Sequence, residues 1–460
     1  MLRLHDTATR ETRPLSLRDE GRVSMYVCGP TVYDVPHIGH GRFVLVFDVL
    51  RRYLEFLGLE VRYVSNVTDI DDKIIARAND EGRPPEAVAQ QYEAVWWEAV
   101  DALGVKRPSE TPHATAYVAA MVALVADLVE RGAAYDTADG VYLSVAAVDG
   151  YGLLAHQSLG SLLSGARVEP GEQKRSPADF ALWKKAKAGE PAWPSPWGPG
   201  RPGWHTECVV MSLDLLGEGF DVHGGGIDLA FPHHENERAQ AVALGRHFAR
   251  HWVHNGFVEV GGEKMSKSLG NFTSLTDLLE RTDGRAYRLL VLRSHYRSPV
   301  EVTPRTIADA EEALARLDAL ARRFGLPTGD PGTDLAAARA EGVDADALDR
   351  FLSAMDDDLD TPGAMAGVFE LVRRANATAD AGDEAEGRLL ARSAQVLAGA
   401  LGLAMAPRDS EVDEESAALV ARRDAARAAK EWALADELRA ALAGRGWVVE
   451  DGPEGTRLHR

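Results

Sequence analysis

The sequence predicts an α/β protein: a parallel-sheet domain interrupted by an insertion, followed by a mainly helical C-terminal region. Three observations predict it. Residues 23–29, VSMYVCG, make a short apolar run of strand type ahead of a Pro-containing turn. Phe43, Val46, Val49, Leu50, Tyr53, Leu54 and Leu57 then recur at helical spacing, Gly58 sits where a helix C-terminus favours glycine, and residues 61–67, VRYVSNV, read as a second strand. Strand, helix and strand in that order make a βαβ unit with a parallel sheet and a crevice at the strand ends. The same alternation resumes at residues 220–226, FDVHGGG, and in the helix after Pro232, while beyond about Thr303 the chain is Ala-rich and helical.

Between these anchors, helical patterns cover 85–103 and 114–131. Residues 179–204 are rich in Pro, Gly and Trp and read as an irregular loop closing an insertion between two halves of the sheet domain. Asp360-Thr361-Pro362 has the form of an N-cap with proline at a helix start. The acidic stretches 380–386 and 409–415 read as turns or linkers, and the tail fits a small hairpin with Asp451-Gly452 in its turn region. The expected boundaries are 1–112, 113–203, 204–262, 263–304, 305–408 and 409–460.

Bulk properties bound the function class without deciding it. A chain of 460 residues exceeds what one core serves, so appended domains are expected. Hydrophobic content of 45% with 27% charged residues argues against wholesale disorder. No stretch approaches the ~18 uninterrupted apolar residues of a membrane span. The start, MLRLHDTATRETRPLSL, lacks the apolar core of a signal peptide, so a cytoplasmic location with no membrane partner is expected. Cys28 and Cys208, the only cysteines, cannot build a disulfide framework and read as thiols, buried or ligating. The net charge of −20 opposes nucleic-acid binding by the surface as a whole, but binding needs only a local patch. Residues 417–460 carry eight Lys or Arg against seven carboxylates. Arg281, Arg285, Arg288, Arg293 and Arg297 form another basic run, its first three members on one face if helical. The commoner reading of either run is a solvated face.

Two short runs and one scattered set carry chemistry. His37-Ile38-Gly39-His40 lies between the first strand and the long helix. A helix N-terminus there offers unsatisfied N–H groups and a positive dipole end, Gly39 permits close backbone approach, and two imidazoles can donate to phosphate oxygens. Lys264-Met265-Ser266-Lys267-Ser268, after the pair Gly261-Gly262, suits a mobile clamp whose ammonium groups offset charge developing on pyrophosphate. Taken singly, each run reads just as well as an ordinary surface feature. His233 and Glu237, four apart on a predicted helix, project from one face. With Cys28 at the end of the first strand and Cys208 preceding the helix that carries Met211 and Leu215, they make a plausible tetrahedral zinc set. Two buried core cysteines are the alternative.

In this order and about 225 residues apart, the two runs resemble the paired signatures of class I aminoacyl-tRNA synthetases. The resemblance implies a Rossmann-type parallel-sheet catalytic domain, an aminoacyl adenylate, Mg²⁺ with the ATP, and transfer to the terminal ribose of tRNA. It assigns His37 and His40 to the phosphates in the transition state, and Lys264 and Lys267 to the pyrophosphate. CGPTVYD from Cys28, GWHTEC ending at Cys208, HGGG from His223 and FPHHENE ending at Glu237 are further similar to the cysteinyl-tRNA synthetase family. That resemblance implies L-cysteine, ATP and tRNA(Cys) as substrates and one Zn²⁺ held by Cys28, Cys208, His233 and Glu237. His234 and Glu235 lie in the same motif, face elsewhere and are expected not to ligate. Zinc taking the substrate's thiolate separates cysteine from serine, whose hydroxyl is a harder, less acidic ligand, so no editing domain is expected.

The same resemblance places Trp204 at the cysteine, with Gly29 and Thr31 beside it, and Lys267 at the nucleotide. Thr68, just beyond the second strand, is read as meeting the substrate's amino or carboxylate group. Gly39, Gly225, Gly226 and Asp228 are read as approaching the nucleotide, because glycine allows close backbone contact and a carboxylate accepts from ribose hydroxyls. A core tryptophan and a structural strand-end hydroxyl remain the alternatives for Trp204 and Thr68. MDDDLDTP from Met355 resembles the family's helical-bundle marker, and residues 435–457 resemble its anticodon-binding module. The segments above then become two catalytic halves around a connective insertion, the signature-loop and stem-contact region, the helical bundle and the anticodon-binding module, in a chain expected to be monomeric. One departure is Gly41, where an alanine-like residue is expected after the first signature. Two rivals share parts of this reading: a ligase passing the same adenylate to an amino-sugar, which has no use for an anticodon module, and a silent zinc- and RNA-binding paralogue, which has no reason to keep both signatures.

Overall fold

The structure is a computed structural model that describes residues 1–158, 160–161, 173–187, 189–261, 263–264, 273–406, 413–452 and 455–459. It divides into two units, Met1–Leu314 with Asp330–Ala404, and Ala315–Gly329 with Met405–Arg460.

In the first unit, β1 (Arg3–Asp6) and β2 (Glu11–Pro14) make an antiparallel hairpin. The chain continues through β3 (Arg22–Val27), α1 (Ile38–Phe56) and β4 (Glu60–Val64), then α2 (Asp72–Glu81), α3 (Pro85–Ala102) and α4 (Val118–Glu130). The insertion is an antiparallel sheet of β5 (Ala134–Asp136), β6 (Gly140–Leu143), β7 (Phe180–Lys185) and β8 (Gly200–Pro202). Helix Trp204–Leu216, β9 (Val222–Gly226), helix Glu235–Ala243 and β10 (His251–Asn255) complete the central layer.

The central sheet is parallel throughout, in the order β10-β9-β3-β4. Val23, Met25, Tyr26 and Val27 of β3 are all buried, as expected of a parallel strand covered on both faces. From β3 the chain crosses through α1 to β4 on one side, and β9 returns on the other. Strand order therefore reverses at β3, and a crevice opens beyond its carboxyl end, where Cys28 to Thr31 lie. α1 buries an apolar stripe against this sheet, and it also carries Arg42, Asp48 and Arg52 inside. Asp48 bridges Arg52 at 2.8 Å and Arg288 at 2.6 Å, so the internal charges of that region compensate one another.

Four sequence expectations need correction. Residues 179–204 are not wholly irregular, since β7 and β8 lie within them. Phe180, Leu182 and Trp183 are buried in the insertion's core, and that packing outweighs the surrounding turn signals. Cys208 sits inside helix Trp204–Leu216 rather than ahead of it. His233 and Glu237 meet on one face as expected, but His233 lies in the π-helical turn Ala230–His234 that leads into the α-helix carrying Glu237. A proline disfavours helical backbone at the residue before it, so Phe231, ahead of Pro232, is extended (φ −142°, ψ 133°), and the α-helix begins only at Glu235. The run from Arg281 to Arg297 is not a basic face. Arg288 is buried on Asp48, Arg285 binds Asp283 at 2.8 Å, and Arg297 binds Asp358 at 2.6 Å.

Beyond β10 come β11 (Val258–Val260), β12 (Glu263–Lys264), helices Leu275–Leu279 and Gly284–Leu292, and β13 (Val300–Glu301). Helices Leu335–Ala340, Ala345–Asp356, Thr361–Asp380 and Glu384–Gly399 follow, and the Asp360 side chain caps the third by accepting from the Gly363 N–H at 3.1 Å. In the second unit, helices Glu414–Ala428 and Trp432–Gly444 pack with a hairpin of β14 (Val448–Gly452) and β15 (Gly455–His459) around Leu442, Trp447 and Val449. No helix among the described residues is long and apolar enough to cross a membrane.

Candidate active site

A cavity of about 330 Å³ occupies the crevice at the end of β3. Its lining includes Cys28, Gly29 and Thr31 after β3, His37, Gly39 and His40 at the start of α1, Trp204, Gly226 and Asp228. Asn255 to Val258, from the last residue of β10 to the first of β11, close one wall. At Gly29 any side chain is excluded, because a Cβ would stand 1.7 Å from the carbonyl oxygen of Asn66. Its N–H donates to Asn66 Oδ1 at 2.9 Å, which ties the end of β3 to the segment after β4.

The first signature forms a reciprocal cap. His37 Nδ1 accepts from the His40 N–H at 3.3 Å, and His40 Nδ1 accepts from the His37 N–H at 3.2 Å. The two rings stack with centroids 3.7 Å apart. With both Nδ1 atoms accepting, each neutral ring carries its proton on Nε2, as a donor. Gly41 also finds its reason here, since a Cβ would come within 2.9 Å of Leu275 Cδ1 and 3.0 Å of Tyr287, whose hydroxyl donates to Ile38 O at 2.7 Å.

The four expected ligands converge at the floor. Cys28 Sγ lies 3.5 Å from Cys208 Sγ and 3.4 Å from Glu237 Oε1. His233 Nε2 lies 3.7 Å from Cys208 Sγ and 3.1 Å from Glu237 Oε1. Ligand atoms around one tetrahedral zinc stand about 3.3–3.8 Å apart, given bonds of about 2.0–2.3 Å. All four side chains are buried, and both thiols are free. Burial pushes the Cys28 thiol well up, and Cys208 beside it pushes it further. Burial, then the neighbouring His205 and His223, hold His233 well below its usual value and therefore neutral. Such a group of soft and neutral donors fits a buried divalent cation of the zinc type.

Surrounding groups orient the ligands. His205 Nδ1 meets His233 Nδ1 at 2.9 Å, and Trp204 stacks on the His233 ring with centroids 4.0 Å apart. His223 joins Glu237 Oε2 at 2.8 Å while its Nδ1 donates to Tyr26 O at 3.1 Å. A second set, Cys28, His223, His234 and Glu237, also lies within 4.8 Å throughout and shares two members with the first. His234, expected to point away, pairs its Nδ1 with His254 Nε2 at 2.8 Å. Glu235 accepts from the Leu154 N–H at 2.6 Å and from Arg238.

The remaining expected residues fall in different places. Trp204 is 37% exposed and faces the cavity, so it is not a core tryptophan. Thr68 is buried behind the wall, where its hydroxyl donates to Glu207 at 2.7 Å and accepts from Asn66 at 3.2 Å. Gly226 and Asp228 line the cavity, and Gly225 packs under His234 and Leu229. Lys264 ends β12, and Lys267 lies outside the described residues. Sequence reasoning missed Tyr33, Lys73 and Asn255 to Val258 among the lining residues. For the last group the available signal was a strand run, HWVHN, ending in Gly256 at the carboxyl edge of a parallel sheet.

A strand-order switch, a helix N-terminus at the crevice and a buried thiol-imidazole-carboxylate cluster are the arrangement that the resemblance to class I aminoacyl-tRNA synthetases implied. The description "tRNA synthetases class I (C) catalytic domain" matches residues 14–312, "DALR domain" matches 350–406, and "Cysteinyl-tRNA ligase anticodon binding domain" matches 409–458. The cysteine–tRNA ligases of Thioalkalivibrio sulfidiphilus and Chromobacterium violaceum are each 47% identical to this chain, and that of Halorhodospira halophila is 46% identical, all over the full length of both sequences. Mycobacterium tuberculosis methionyl-tRNA synthetase in complex with methionyl-adenylate shares the fold, with a TM-score of 0.59 at 17% identity over 83% of this chain and 90% of that one. A putative arginyl tRNA synthetase from Campylobacter jejuni does so with a TM-score of 0.52 at 14% identity, over 84% and 94%. The chain belongs to the cysteine–tRNA ligase family.

Proposed function

We infer that this chain joins L-cysteine to tRNA(Cys) in two steps, forming cysteinyl adenylate and pyrophosphate from ATP and then esterifying the terminal ribose. The observation that carries this reading is the buried four-donor cluster of Cys28, Cys208, His233 and Glu237, whose Cys28 lines the same cavity as His37 and His40. ATP lies with its phosphates at the N-terminus of α1. There the two Nε2–H groups donate to phosphate oxygens, and the helix dipole favours their charge. Gly226 offers backbone, and Asp228 a carboxylate acceptor, to the adenosine ribose. Lys264 and Lys267 neutralise the departing pyrophosphate, with Mg²⁺ accompanying the nucleotide.

Cys28, Cys208, His233 and Glu237 would hold the zinc, which when bound would supply recognition of cysteine through sulfur, a distinction from oxygen that an apolar pocket alone makes poorly. His205 holds the His233 ring so that Nε2 faces the ligand cluster, and His223 holds Glu237 with Oε1 facing it. Trp204 covers the substrate side, Gly29 and Thr31 border it, and Thr68 acts through Asn66 and Glu207 behind them. A monomer working in the cytoplasm is part of this reading. Cysteine-dependent ATP–pyrophosphate exchange, followed by transfer of labelled cysteine to tRNA(Cys) rather than to an amino-sugar, tests the whole. Exchange without transfer to tRNA would refute it.

A further inference from the structure

We propose that Lys73, at the rim of this cavity, binds the phosphate backbone at the single-stranded 3′ end of the tRNA and serves the transfer step rather than adenylation. The proposal rests on the reading above. Lys73 lies in the first turn of α2, is exposed, and lines the cavity together with Tyr33. Its ammonium stands 5.2 Å from the centroid of the Tyr33 ring. Among the described residues it pairs with no carboxylate, although Asp71 and Asp72 precede it in the chain and Asp34 follows Tyr33. Each of those is engaged elsewhere. Asp71 Oδ1 accepts the Lys73 backbone N–H at 2.9 Å, as the cap of α2. Asp72 is bridged by Lys184 and Arg201 from the insertion, both at 2.5 Å. Asp34 accepts the Val35 N–H at 2.9 Å and lies 3.9 Å from Arg77.

The site is thus a cation left without an anion beside an aromatic face, in a chain of net charge −20. That pairing suits single-stranded nucleic acid, where a positive group tracks the phosphates and a ring supports a base. The nucleotide contacts proposed above lie elsewhere in the lining, at the start of α1 and along Gly226 and Asp228. The thiol donors lie buried on the floor. A cation exposed at the mouth is placed to meet the substrate that enters last and from outside.

Lys73→Gln and Lys73→Arg in the full chain test this, with a tRNA(Cys) transcript as probe. For Lys73→Gln, kcat/KM for charging is expected to fall at least tenfold, and the loss should exceed any loss in pyrophosphate exchange at least fivefold. The slope of log kcat/KM against log salt should become shallower by about 0.7, one single-strand phosphate contact. Lys73→Arg should recover most of the charging. Equal losses in exchange and charging, or an unchanged salt slope, would overturn the proposal while leaving the synthetase reading intact. Absence of cysteine-dependent exchange in the unaltered protein would overturn both.

Discussion

Arg42 gives the most informative perturbation, because the structure sets both sides of its balance. It is 1% exposed, and among the described residues it has no carboxylate partner. Its guanidinium instead donates to the carbonyls of Phe257 at 2.5 Å, Tyr296 at 3.0 Å, His295 at 3.3 Å and Ser298. Burial pulls its pKa down to about 10, which corresponds to about 3 kcal/mol acting against the charge. Hydrogen bonds from a charged donor contribute about 1.5–3 kcal/mol each. Three of the four acceptors share Nη2, which has two protons, so roughly three full bonds form, worth about 4–9 kcal/mol. Arg42→Met removes the cost and the bonds together, and the net loss is expected near ~3 kcal/mol. Urea denaturation followed at the main transition measures it. Because Phe257 lines the cavity, KM for ATP in pyrophosphate exchange should also rise severalfold. A loss below about 1 kcal/mol with unchanged KM would refute the idea that this unpaired cation fastens α1 to the wall after β10.

Three further outcomes are expected. Cys28→Ala and His233→Ala should each lose bound zinc, measured by atomic absorption, and lose cysteine binding while keeping ATP binding; full zinc stoichiometry in both would dismiss the ligand set. Lys267→Ala should slow adenylate formation at least tenfold, about 1.4 kcal/mol of transition-state stabilisation, with little change in cysteine affinity, and an unaltered single-turnover rate would remove its role. Burial raises the Asp48 carboxyl, but Arg288 and Arg52 more than offset this and hold it below its usual value. A folded pKa below the unfolded one, about 3.9, gives stability that is full above that pH and lost as pH falls through the folded value. Urea midpoints should therefore drop below about pH 4 in the parent and much less so in Asp48→Asn; parallel acid profiles would exclude the contribution.

Much of the site was legible because its chemistry sits in short runs. HIGH before a helical period, HGGG at a strand end and FPHHENE carry their meaning locally, and the βαβ order follows from apolar spacing between residues 23 and 67. Other features depend on partners distant in the chain. Arg288 reads as surface charge until Asp48, 240 residues away, meets it in the interior. FALWKK in 179–204 reads as loop until β6 and β8 flank it. Thr68 reads equally as a substrate contact or a structural strand-end hydroxyl in the sequence, and only the fold shows it buried and donating to Glu207. The sequence by itself determined which donors exist and which backbone signals precede them. Only tertiary structure decided that four donors spread over 209 residues share one buried point, since burial and hydrogen-bond partnership arise from packing between segments that local pattern cannot encode.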